Sequence, residues 1–278
     1  MAQIPVVLFV YRKTEILSRV LECLRADGVP LLHVFSDGAR SADEADEVSA
    51  VRGLVRSIDW CECHVEESPV NLGLGVSVKR GVGSVLQRYG SAIVFEDDLV
   101  CVPGTYRYLA AALRHYAEDA AVMSVTGWTH PGLVPEGVGG KPYFDGKAEC
   151  WAWGTWARAW DGMDEPAMEI MEACRREGLD IERYGTDMPK MAREAQTRNL
   201  WAIGWWYHHM RRHGLCLRPP WSLVEHICWD QNLSTTSTPA MMAWANPPLG
   251  ACPPIPEDWP EPVEDSQCAP RWRKMIDG

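Results

Sequence analysis

Ile93-Val94-Phe95-Glu96-Asp97-Asp98-Leu99, residues 93–99, runs from an apolar segment straight into three successive carboxylates. With Ala92 in front, Ala92–Phe95 is too short for a buried helix and reads as a buried strand. Three adjacent acids at its end repel one another unless a cation or hydrogen-bond donors compensate them. Hard cations such as Mg2+ and Mn2+ take carboxylate and phosphate oxygens, and Mg2+ commonly uses one or two protein carboxylates and leaves the rest of its shell to substrate phosphates. A solvated acidic loop is the plainer reading of the same run.

On either side, short β-rich runs alternate with segments of helical period, the pattern of βαβ units and a mainly parallel sheet. Strands are expected at Ile4–Val10, Leu31–Phe35, Cys61–Val65, Ala92–Phe95 and Ala121–Thr126. Between them, Ile16, Leu17, Val20, Leu21 and Leu24 share one helical face, as do Val48, Val51, Val55 and Ile58, then Val78, Val82, Val85 and Leu86, then Leu109, Ala112, Leu113 and Tyr116. Ser41 and Glu44 stand in capping-box spacing ahead of the second helix. Ligands of such sheets bind outside the carboxyl ends of the strands. Tyr11-Arg12, Ser36-Asp37-Gly38, Glu66-Glu67 and Glu96-Asp97-Asp98 fall there and are expected to face one crevice. Any one of them alone would pass for a solvated loop residue. Asn71-Leu72-Gly73-Leu74-Gly75 fits neither the G-x-G-x-x-G nor the Walker pattern; it reads as a tight turn that either brings backbone to a ligand or is purely structural.

Composition changes near residue 128, because 13 of the 14 tryptophans lie from Trp128 onward. Trp151–Trp160 is expected to enter a helical stretch, while its spacing of two would, on a strand, present Trp151 and Trp153 on one side as a sugar-stacking platform, with plain core packing, the default for tryptophan, as the alternative. Asn199–His213 reads as a long helix ended by Gly214, with His208, His209 and His213 on a solvated face. Nine prolines between Pro239 and Pro270 argue against regular helix or central strand and imply an extended tail over the body, anchored by Met241, Met242, Trp244, Trp259 and Trp272.

The chain has 278 residues, 46% hydrophobic and 23% charged, which suits a globular α/β protein with a substantial core and excludes a disordered or membrane-embedded one. A net charge of −11 makes bare nucleic acid a poor partner. No apolar run approaches the roughly 20 residues that span a bilayer, so membrane contact would be peripheral. Ten scattered cysteines without zinc-ligand spacing, behind an N-terminus lacking a basic region and cleavage site, point to a reducing cytoplasm.

The ordered set Pro5–Arg12, Ser36-Asp37-Gly38, Asn71-Leu72-Gly73-Leu74 and Ile93–Leu99 with Pro103 resembles GT-A glycosyltransferases of the N-acetylglucosaminyltransferase I type and their bacterial relatives. In that family Glu-Asp-Asp stands for the usual Asp-X-Asp. The similarity continues through Cys150-Trp151-Ala152-Trp153-Gly154-Thr155-Trp156 and Trp160, the helix Trp201–Gly214 and Cys216-Leu217-Arg218-Pro219, covering roughly residues 4–230. It implies a GT-A, Rossmann-like α/β fold with a nucleotide-sugar half (1–127), a tryptophan-rich acceptor-side half (128–232) and an extended proline-rich tail (233–278). The implied activity is metal-dependent transfer, with inversion, of a hexosyl or N-acetylhexosaminyl group from a nucleoside diphosphate sugar, first of all a UDP-sugar. The acceptor would be a hydroxyl of a glycan, lipid-linked or small-molecule compound. By resemblance, Arg12 and Asp37 contact the nucleotide, Glu96 and Asp97 hold ribose and donor sugar, Asp98 ligates Mn2+ or Mg2+, and Trp151 and Trp153 face the acceptor. The family's general base precedes the tryptophan that matches Trp205, where this chain has Gly204. An acceptor proton then needs another group; Asp230 is the first candidate and Glu225 the second, ahead of His226 and His208.

Two other functions compete. A sugar nucleotidyltransferase would carry a glycine-rich, basic phosphate loop after strand one, where this chain has Phe9-Val10-Tyr11-Arg12-Lys13. A non-catalytic sugar-nucleotide or carbohydrate-binding relative would explain the vacated base position.

Overall fold

The computed structural model describes residues 3–198, 200–228 and 244–278. Its centre is an eight-stranded sheet in the order β3-β2-β1-β4-β8-β6-β9-β7. The strands are β1 (Val6–Val10), β2 (Leu31–Ser36), β3 (Glu62–Glu67), β4 (Ser91–Glu96), β6 (Val122–Thr126), β7 (Tyr143–Asp145), β8 (Trp153–Trp156) and β9 (Leu215–Arg218). Strands β3, β2, β1 and β4 run parallel, as do β6 and β9, while β8 is antiparallel to both its neighbours and β7 to β9. A separate ribbon pairs β5 (Leu99–Cys101) with β10 (Val224–His226). The result is the mainly parallel, helix-flanked α/β fold expected from the sequence.

Alternation along the central strands divides the core between two faces. Val6, Leu8 and Val10 of β1 pack with Leu17, Val20, Leu21 and Leu24 of α1 (Thr14–Ala26) and with Val51 and Val55 of α2 (Ala45–Arg56). Val7 and Phe9 face the other way, against Val78, Val82, Val85 and Leu86 of α3 (Leu74–Tyr89). Helix α4 (Thr105–His115) covers the first face. All four helical faces read from the periodicity are therefore core faces. The capping box is not formed: Ser41 makes no capping bond, a 3-10 turn at Ala42–Glu44 precedes α2, and Glu44 instead accepts from the Tyr11 hydroxyl and from Arg40 N–H (3.0 Å).

The expected helical stretch at 151–160 is a strand followed by one helical turn, α5 (Ala157–Trp160). Gly154 makes this possible, because a Cβ there would lie 2.8 Å from Leu113 and 3.1 Å from Val125. Beyond it lie α6 (Ala167–Arg176), α7 (Met188–Glu194) and α8 (Trp201–Arg211). Helix α8 stops before Gly214, with His213 already at φ +50°. Gly214 is required for another reason: a Cβ there would sit 2.2 Å from the Met123 sulfur. His208 and His209 are buried, not solvated, because α8 packs against α6 and the tryptophans of the second face.

The tail is not extended throughout. It ends in α9 (Cys268–Asp277), where Pro270 falls in the first turn and removes no helical hydrogen bond. Trp272 is buried and donates to Asp145 Oδ2 at 2.8 Å; Trp259 packs against Tyr108, His115 and Tyr116; Trp244 stacks on His130. Met241 and Met242 lie outside the described residues. Among the described residues no helix is long and apolar enough to cross a membrane, and all ten cysteines are free thiols.

Candidate active site

The sheet order puts β2 and β4 on opposite sides of β1, and the reversal opens a crevice at the carboxyl ends of β1 and β4. Three segments meet there. The turn after β1 brings Tyr11 N–H to Asp97 Oδ2 (2.9 Å) and Lys13 Nζ to Asp98 Oδ2 (2.9 Å). Register in the β5–β10 ribbon sets His226 opposite Leu99, and His226 Nε2 stands 3.1 Å from the same Asp98 oxygen. The other oxygen, Asp98 Oδ1, is buried and has no hydrogen-bond partner among the described residues.

The electrostatics follow from this crowding. Burial and the charges of Asp98 and Asp97 push Glu96 up to about 8, and burial with Asp98 pushes Asp97 up to about 6. Burial works against ionisation of Asp98 too, but its hydrogen bond to His226 and the Lys13 charge win and hold it well below the usual carboxylate range. Lys13 is raised above its ordinary value despite burial, by Asp98 and Asp97. The stable arrangement is one firmly ionised carboxylate between two nitrogen donors, beside two reluctant ones.

The other expected site residues are placed differently. Asp37 is turned inward: Oδ1 accepts from Gly38 N–H (2.9 Å) and Leu72 N–H (2.8 Å), and Oδ2 from Gly73 N–H (2.8 Å) and Asn71 Nδ2 (3.2 Å). Four donors take up a carboxylate's acceptor capacity, so Asp37 acts as the strut of the Asn71–Gly73 turn. Gly73, at φ +76°, is needed there, and the turn's amides point at Asp37. Arg12 pairs with Glu47 (3.2 Å) and Glu44 (3.4 Å) on α2 and the turn before it. Glu66 lies with Asp37, Ser77 and Arg80 around a shallow depression, while Glu67 pairs with Arg56.

Trp151 and Trp153 do not form one platform. Ala152, at φ +44°, breaks the alternation before β8 begins. Trp153 therefore goes into the core, 1% exposed, among Trp160, Trp201 and Trp205. Trp151 stays half-buried, its ring centroid 5.3 Å from that of His226 and 6.1 Å from that of Trp128. Glu225 alternates with His226 along β10 and so projects from the opposite side of the ribbon. A side chain at Gly204 would start against Ala167 and Met163, on the packed side of α8, whereas Ala202, Ile203 and Trp206 of the same helix line a cavity. His208 is bonded to Ala159 O at 3.0 Å. Asp230 lies outside the described residues.

Sequence reading missed Lys13 and undervalued His226. Lys13 adjoins Arg12, and nothing local says which of the two turns inward. It also missed the cavity beside Trp151, about 290 Å³, walled by Trp128, Trp206, Trp244 and Trp272 and holding Lys147 and Glu149.

No protein-family model and no curated protein matches the chain. Solved structures do. A mannosyltransferase from Pyrobaculum calidifontis, in complex with GDP-Man and Mn2+, aligns over 62% of this chain and 46% of its own at 14% identity, TM-score 0.40. Mannose-1-phosphate geranyltransferase from Thermus thermophilus aligns over 79% and 74% at 14% identity, TM-score 0.36. HddC from Yersinia pseudotuberculosis aligns over 45% and 57% at 14% identity, TM-score 0.31. The chain thus spans less than two thirds of the first and the last of these. Likeness at this level says nothing about chemistry.

Proposed function

We propose that the protein transfers a glycosyl group from a nucleoside diphosphate sugar, first of all a UDP-sugar, to an acceptor hydroxyl with inversion, assisted by Mn2+ or Mg2+. The observation that carries the reading is the Asp98 carboxylate at the β1–β4 switch point, with Oδ2 held by Lys13 and His226 and Oδ1 buried and without a partner among the described residues. A hard cation suits that oxygen. Among the described residues no three His, Cys, Asp or Glu side chains converge on a metal position, so Asp98 would supply one ligand and the donor's diphosphate most of the others. When bound, the cation neutralises the departing diphosphate.

The chain's own groups do the rest. Lys13 and His226 hold the Asp98 carboxylate in place, Glu96 and Asp97 would face the sugar end as hydrogen-bonding groups, and Asp37 holds the wall of the crevice through Asn71–Gly73. In transfer, the acceptor oxygen forms a bond to the anomeric carbon as the bond to the phosphate oxygen breaks, and the nucleoside diphosphate leaves with that electron pair. The acceptor proton passes to a base, for which Asp230 is the candidate.

Incubation with a panel of nucleotide sugars, Mn2+ and simple acceptors tests the reading. Nucleoside diphosphate release together with glycosylated acceptor is expected. Pyrophosphate release would identify a nucleotidyltransferase, and donor binding without turnover a binding protein.

A further inference from the structure

The tryptophan-walled chamber contains a charge that its surroundings leave unanswered. Lys147 is buried, 5% exposed, with Nζ 3.6 Å from the Trp272 ring centroid and 3.9 Å from that of Trp206. Among the described residues the ammonium has no hydrogen-bond acceptor. Of the three carboxylates nearby, Asp145 and Glu149 are engaged elsewhere, and Asp187, on the chamber's lining, acts on the ammonium by charge without a hydrogen bond to it. Asp145 Oδ2 accepts from Arg218 Nε (2.7 Å) and Trp272 Nε1 (2.8 Å), and its Oδ1 from the backbone N–H of Lys147 (3.0 Å). Glu149 Oε1 accepts from Cys150 N–H (2.9 Å), and its Oε2 lies 3.9 Å from Arg218. Aromatic faces attract an ammonium, but they accept none of its three N–H bonds in the way an oxygen does.

We infer that this chamber is the acceptor site, and that it takes an acidic saccharide whose ring lies on tryptophan and whose anionic group, a carboxylate or phosphate, meets Lys147. The inference rests on the transferase reading for the word acceptor, and on the chamber alone for the ligand class. A pyranose presents a C–H face that packs on indole, and five tryptophans supply such walls within a volume of about 290 Å³. A charge-assisted bond from the ammonium to an anionic oxygen is about twice as strong as a neutral one and would satisfy the orphaned donors. The chamber also adjoins the donor crevice, since Trp151 is its wall and packs against His226, which touches Asp98.

The test is direct binding to the full chain, by calorimetry and tryptophan fluorescence, of methyl glucuronide, glucose 6-phosphate and methyl glucoside. Binding of UDP with Mn2+ is measured separately. At least one acidic sugar is expected to bind tenfold or more tightly than the neutral glycoside, and the pair tells carboxylate from phosphate. Lys147→Met should abolish that preference while leaving UDP–Mn2+ binding intact. Equal affinity of wild type for acidic and neutral sugars overturns the inference, and that comparison needs no variant to fold. So does a Lys147→Met protein that keeps the preference. Acid-selective binding without any UDP–Mn2+ binding would uphold the chamber's ligand class and bring down the transferase reading instead.

Discussion

Lys13, partly buried in the carboxylate crevice, and Lys147, buried in the tryptophan chamber, sit in neighbourhoods that treat the charge in opposite ways. Lys13 lies 2.9 Å from an ionised carboxylate and is held protonated. Lys147 rests on two indole rings, and burial pulls it down to about 8 even though Glu149, Asp145 and Asp187 pull it up and only Arg218 reinforces the fall. The crevice thus neutralises its lysine internally and keeps a carboxylate oxygen in reserve. In the chamber the lysine itself is in reserve. On the functions proposed above, the two regions would take ligands of different kinds, a metal–diphosphate in one and an anionic oxygen in the other.

The largest effect should come from Asp98→Asn. Losing the ionised oxygen is expected to lower turnover about 10²–10⁴-fold, the range of several kcal/mol of charge stabilisation, and to abolish Mn2+ binding in calorimetry. Because Lys13 then loses its partner, the variant should also be less stable to urea; equal stability would mean the Lys13 pair is of little consequence. Lys13→Met should destabilise by about 3–5 kcal/mol, the usual result of stranding one member of a buried pair. Lys147→Met, with no pair to break, should be neutral or stabilising at pH 7, and a loss as large as that of Lys13→Met would erase the contrast between the two lysines.

Among the tryptophans, Trp153→Ala should cost about 3–5 kcal/mol as a core truncation. Trp151→Ala should cost about 1 kcal/mol or less in urea melts and act on acidic-sugar affinity. A pH dependence sharpens the contrast between the two lysines. Lys147 has a folded pKa of about 8 against an ordinary 10.5, so the unfolded chain binds more protons between those values. Stability should therefore rise as pH climbs from about 8 to 10.5, with the penalty complete below that window. Lys147→Met should flatten this rise in urea midpoints measured across the window.

The difference between the regions also explains what the sequence disclosed. In the first half each helix shows the sheet one continuous apolar face, so periodicity alone identified the buried positions of α1 to α4, and the acids after β4 marked the crevice. Past residue 128 strands β7, β8 and β9 are buried on both faces. Trp-Gly-Thr-Trp at 153–156 then loses its alternation signal, and the left-handed Ala152 separates two tryptophans that spacing would have aligned. Asp37 shows a second limit: an acid at a strand end can serve a loop as readily as a ligand. The partners that define each region, His226 for Asp98 and Trp206 and Trp272 for Lys147, are remote in the chain, and no local pattern announces them.

The β5–β10 ribbon has a consequence for the order of events on the ribosome. β5 follows the acidic motif directly, but its partner β10 is made more than a hundred residues later, and pairing of such distant segments is slow because a long loop must close first. While the chain is being synthesised, the early strands can assemble with Asp98 lacking His226 and with no chamber at their side. If the chain is the transferase proposed above, the site would then be complete only once β10 and the chamber walls have docked. A half-made chain, under that reading, could not spend a bound donor on water.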